Sequence, residues 1–247
     1  MKTPRLPHLA CLLVLLAPAT AFRPAAPVTA VTASSAADAR EVRTVAPFTR
    51  LTLAGSMEVI VTQGSAQKVE VVGLAEDLKE VETTVDKGRL RIGTVQHSGI
   101  NWRNFKGPVK VYVTVTTLEG LSVSGSGNLH AESPLTGKAM TVGVSGSGQL
   151  RAALQAESVE ASVSGSGQMR LSGSSRALSA AVSGSGRIEA QELKASTAEA
   201  RISGSGVCRL NVAETLDAHI SGSGNVYYVG APRVTSHVSG SGRVSKG

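Results

Sequence analysis

The tetrapeptide Ser-Gly-Ser-Gly stands at seven places in this 247-residue chain, beginning at Ser124, Ser145, Ser164, Ser183, Ser203, Ser221 and Ser239. Successive starts lie 21, 19, 19, 20, 18 and 18 residues apart, a period suited to one turn of a solenoid. The residues around each motif alternate. Just before it stand Val123, Val144, Val163, Val182, Ile202, Ile220 and Val238. Two residues earlier come Leu121, Val142, Ala161, Ala180, Ala200, Ala218 and Ser236, and two earlier again Glu119, Met140, Val159, Leu178, Ala198, Leu216 and Val234. Beyond the motif, Leu129, Leu150, Met169, Ile188, Cys208, Val226 and Val244 begin a further inward column, followed by Ala131, Ala152, Leu171, Ala190, Leu210, Tyr228 and Lys246.

Apolar side chains at every second position mean strands with one buried face. Glycines in the interposed tetrapeptide permit a sharp turn and close stacking of backbones. One repeat cannot bury its own inner face, so each must lean on the next. The pattern predicts an all-β chain: a single-stranded parallel β-helix, pectate-lyase-like in shape, with two or three short strands per coil. The right-handed form is preferred because parallel crossovers favour that hand.

Residues 1–21 read as a signal peptide: Lys2 and Arg5, a short apolar run from Leu9 to Ala17, then Ala19-Thr20-Ala21. Cys11 lies inside the apolar run, which disfavours a lipoprotein acceptor. No later stretch is long and apolar enough to span a membrane. Residues 22–43, rich in Ala, Pro, Ser and Thr, read as a flexible linker. Residues 44–247 form the β-helix domain, with an irregular opening at 44–117 and the seven coils at 118–247. Strands are expected near 48–53, 57–62, 69–72, 81–85, 89–92 and 109–116, with a helical turn near 75–80.

Signal cleavage would leave Cys208 as the one cysteine, so no internal disulfide can form; its column is otherwise apolar. The chain carries a formal charge of +7, which cleavage lowers to +5 by removing Lys2 and Arg5. This excess suits anionic surfaces. Aromatic residues make up only 3% and no nucleic-acid-binding module is present, so nucleic acid is not an expected partner.

The opening Phe48…Ala54-Gly55-Ser56-Met57-Glu58-Val59-Ile60-Val61-Thr62-Gln63-Gly64, then Lys87-Gly88-Arg89-Leu90-Arg91-Ile92, then the Val-Ser-Gly-Ser-Gly series resembles the putative auto-transporter adhesin, head GIN domain family. The likeness runs over about residues 44–247. It implies an extracytoplasmic bacterial β-helix without an established catalytic site, and it favours surface interaction.

Three features could carry chemistry. A loop at 96–108 holds Trp102 and Phe105 among His97, Asn101, Arg103, Asn104 and Lys106; the aromatics could stack on a sugar ring, or plug the barrel. Six residues after each first Ser runs His130, Arg151, Arg170, Glu189, Arg209, Tyr227 and Ser245, a basic stripe open to acidic polysaccharide or to solvent. Four and two residues before the last motifs, Glu199, Asp217, Arg201, His219 and His237 gather on one outward face. Asp217, His219 and His237 could share a metal ion or perform acid–base work. The reading adopted is a solvated face with Glu199–Arg201 and Asp217–His219 pairing.

The Gly-Ser-Gly turns lack the following helix that a dinucleotide cradle needs. Asp217 is the only Asp from Leu118 onward, against an Asp in every calcium-binding repeat. No catalytic, cofactor-binding or metal-binding residue is assigned. Trp102, Phe105, Arg151, Arg170 and Arg209 are the candidate ligand-contact surface. The expected function is that of an exported, non-enzymatic protein of the envelope or extracellular space, acting as an adhesin, with an anionic polysaccharide or another surface component as partner. The alternatives are a carbohydrate-active lyase or hydrolase on the same scaffold, and a purely structural envelope component.

Overall fold

In the computed structural model, residues 39–95 and 105–247 are described. They form a β-solenoid of about seven turns. The opening contains β1 (Ala39–Arg43), β2 (Arg50–Gly55), β3 (Glu58–Gln63), β4 (Lys68–Gly73), a helical turn α1 (Ala75–Leu78), β5 (Val81–Asp86), β6 (Arg89–Thr94) and β7 (Lys110–Val115). The repeats contain β8 (Gly120–Gly125), β9 (Asn128–Ala131), β10 (Leu135–Gly146), β11 (Gln149–Gly165), β12 (Gln168–Gly184), β13 (Arg187–Gly204), β14 (Val207–Gly222), β15 (Asn225–Val229), β16 (Arg233–Gly240) and β17 (Arg243–Lys246).

Coil stacks on coil in parallel, and the motifs coincide. Ser145-Gly146 pairs with Ser124-Gly125 and with Ser164-Gly165, and so on to Ser239-Gly240. The opening joins the same stack, because Ala54-Gly55 of β2 pairs with Ser124-Gly125. Every inward column of the central coils is buried: Val123, Val144, Val163, Val182, Ile202 and Ile220 are each no more than 3% exposed. Long runs such as β11 replace the two or three short strands expected per coil. A parallel stack keeps each residue's partner one coil away even where the chain bends, so the ladder continues around the corner.

The turn is a steric necessity. Gly165 has φ of 104°, and a Cβ on Gly167 would lie 2.5 Å from Cγ1 of Val144, one coil below. Side chains cannot enter there. The inward pattern breaks at Glu119, which stays outside, its carboxylate accepting a hydrogen bond from Thr49 Oγ1 at 3.1 Å, while the preceding Leu118 is buried; in the last coil Ser236, Val238 and Lys246 are also exposed.

The two ends differ. At the amino-terminal end β4 pairs antiparallel with β7 and β1, β5 pairs antiparallel with β6, and Leu78 of α1 enters the core. The 22–43 stretch read as linker thus ends in strand, since β1 lies within it. Asp77 is buried and its carboxylate accepts hydrogen bonds from the backbone N–H groups of Lys106 and Gly107, at 3.0 and 2.9 Å. At the other end, among the described residues, β16 pairs with β14 and β17 with β15, and Val238 is 42% exposed.

Candidate functional site

Outward positions of a parallel stack form straight columns, so residues distant in sequence become neighbours at one strand spacing, about 4.8 Å. On one face the ladder aligns His130, Arg151, Arg170, Glu189, Arg209, Tyr227 and Ser245 as successive partners. Much of the charge in this column is engaged internally. Arg170 Nε donates to Glu189 Oε2 at 2.6 Å, and the Arg209 guanidinium lies 5.2 Å from the Tyr227 ring centroid, where cation–π attraction holds it. Partial burial raises the Glu189 pKa, but the hydrogen bond and charge of Arg170, with smaller contributions from Gln168 and Arg209, together outweigh this and hold it below the usual 4.5. Arg151 forms no ion pair among the described residues. Together with His130 it borders a groove of about 430 Å³ that Glu189, Gln191 and Glu192 close on the far side.

Phe105 of the 96–108 loop does not complete this face. Trp102 lies outside the described residues. Phe105 is half-buried against the core and lines a different groove with Gly55, Met57, Pro108 and Asn128.

A second face holds the carboxylates and imidazoles of the last coils. Glu199 pairs in register with Asp217, Arg201 with His219, and His219 with His237. Arg201 forms an ion pair with Glu199. His219 Nε2 lies 3.2 Å from Asp217 Oδ1. The His219 and His237 rings stack at 5.0 Å between centroids and 14° between planes. His237 therefore lies over His219, and the three side chains whose ligand atoms converge, all within 4.8 Å of one another, are Glu199, Asp217 and His219. Glu199 was absent from the metal-ligating trio considered from sequence, because its reach across one coil depends on side-chain length and rotamer. Beside this cluster an open groove of about 720 Å³ runs along the Ser column, with Arg201, His219 and His237 on its wall.

Residues 47–232 match the family model described as "Putative auto-transporter adhesin, head GIN domain". A putative adhesin from Bacteroides fragilis superposes with a TM-score of 0.76 at 24% identity, covering 85% of this chain and 95% of that one. A putative lipid binding protein from Parabacteroides distasonis gives 0.71 at 24% identity, over 86% and 97% of the two chains. A putative adhesin from Parabacteroides merdae gives 0.69 at 22%, over 86% and 97%. At these identities the likeness is one of fold. Among curated proteins none matches the chain.

Proposed function

Because the chain belongs to the putative auto-transporter adhesin, head GIN domain family, we propose that it is an exported, non-enzymatic surface-interaction protein that binds anionic polysaccharide along its basic column. The signal-type sequence at residues 1–21 supports export. Among the described residues no helix is long and apolar enough to cross a membrane.

The observation that carries the ligand assignment is Arg151. It stands between His130 and Arg170 on a straight strand face, without an acidic partner among the described residues. Guanidinium groups fit carboxylate and sulfate groups in a two-point contact, and a regular column matches the regular repeat of a charged polymer. Each contact is exposed and weak, so binding would depend on several contacts along one polymer chain.

The test is retention of the full chain on immobilised alginate against immobilised neutral dextran, across a salt gradient. Alginate should retain the protein, dextran should not, and salt should release it. Arg151→Glu should weaken retention about tenfold, a change of ~1.4 kcal/mol. Equal retention of Arg151→Glu and the unaltered chain would remove the basic column from the reading. Preference for anionic vesicles over alginate would replace polysaccharide with lipid.

A further inference from the structure

The outward face of the last coils carries a donor set that its ion pairs do not use up. Asp217 Oδ1 is shielded from solvent and accepts no hydrogen bond, although His219 Nε2 lies only 3.2 Å away. In a hydrogen-bonded ion pair the imidazole N–H would point at that oxygen. Here the two atoms sit side by side. Such a separation is close to the edge of a zinc tetrahedron, about 3.4 Å for bonds near 2.1 Å. Glu199 brings a third donor, so that three ligand atoms lie within 4.8 Å of one another on half-buried side chains. His237, stacked on His219, restrains the plane of the imidazole. We propose that Glu199, Asp217 and His219 form a binding site for a first-row divalent cation of the zinc type.

The donor chemistry sets the class. One imidazole nitrogen and two carboxylate oxygens suit zinc or its first-row neighbours, whereas calcium and magnesium require oxygen ligands. Three protein ligands leave a coordination position open. His219 also lines the groove of about 720 Å³, whose wall includes Ser203 and Ser221. An anionic or carbonyl group of a bound partner would complete the coordination there. Arg201 opposes the cation, because its guanidinium holds Glu199 through Oε1 and adds positive charge at the site. The site is thus one whose affinity its own neighbour restrains.

The test is calorimetric titration of the untagged full chain with zinc, paired with cobalt absorption spectra, which report tetrahedral nitrogen–oxygen coordination. One-to-one binding at micromolar concentration is expected. His219→Ala should reduce affinity at least tenfold, while its circular dichroism melt stays near that of the unaltered chain, since the side chain lies outside the core. Asp217→Asn should act in the same direction. Arg201→Ala should tighten binding, a response that a general surface attraction for metal would not single out. No saturable binding, or binding unchanged in both His219→Ala and Asp217→Asn, would overturn the assignment.

Discussion

A Cβ placed on Gly165 would lie 2.8 Å from the carbonyl oxygen of Gly146, one coil earlier. The two glycines are ladder partners, and the same approach links each motif to the one before it. With φ of 104° at Gly165, a β-branched side chain meets both a forbidden backbone region and a neighbouring coil. Gly165→Val should therefore destabilise the chain by at least ~2 kcal/mol. Circular dichroism melts decide, and a loss below ~0.5 kcal/mol, ordinary for a surface substitution, would show that the turn can relax.

Val163 is 1% exposed, between Val144 and Val182 in the column that backs the motif. Val163→Asp places a carboxylate there without a partner. A loss of about 4 kcal/mol or more is expected, which lowers the melting temperature by roughly 8–16 °C in a chain of this size. An unchanged melt would mean that this column does not face inward.

Burial pushes the Cys208 thiol up to about 12. In the unfolded chain it ionises near its ordinary 9.0, so above that pH the unfolded state loses a proton that the native state keeps. Stability from this group is complete below about pH 9 and declines towards pH 12. Urea unfolding at several alkaline pH values should show Cys208→Val gaining on the unaltered chain by about 1.4 kcal/mol per pH unit in that window. The native thiol should also resist a disulfide reagent until the chain unfolds.

Glu189 gives the opposite sign. Its carboxyl is held below 4.5 because Arg170, aided by Gln168 and Arg209, outweighs the effect of burial. The pair therefore stabilises the fold above the ordinary carboxylate range, and the contribution is lost as pH falls through the lowered value. Arg170→Ala should move the Glu189 midpoint upward in a carboxyl NMR titration. A midpoint that stays put would make the ion pair incidental.

Asp77→Ala should leave the N–H groups of Lys106 and Gly107 without their acceptor, at a cost of about 1–3 kcal/mol. Hydrogen exchange at these two amides should accelerate. Slow exchange in the variant would show that other contacts hold the returning chain.

The coils were legible because Val163 and its equivalents alternate strictly with outward residues, and because only glycine fits where the turns stack. Strand positions in the opening, from β2 to β7, were also legible from alternation. Strand direction was not: a period of two is the same for parallel and antiparallel partners, so the antiparallel pairing of β4 and β5 left no mark. β1, Ala-Arg-Glu-Val-Arg, lacks an apolar stripe and owes its form to β4. At the candidate sites, register placed His219 beside His237 and Arg151 beside Arg170, since columns follow from spacing alone. Which groups converge did not follow. Rotamers send the His237 ring over His219 and bring Glu199 towards Asp217, and a buried Asp77 looked like any helix-turn acid.

The unequal coil lengths have a consequence for how such a chain can vary. From β12 to β13 the register slips between Arg170 and Ser172; from β13 to β14 it slips between Ala190 and Lys194 and again between Ala195 and Thr197. From there to the Ser-Gly step the pairing runs without a further shift. Residues gained or lost are thus absorbed in the stretch between one motif and the next, and the columns flanking the motifs keep their alignment. The turn acts as an index and the stretch between turns as slack, so coils of different length can be duplicated, shortened or exchanged without scrambling the surface they present.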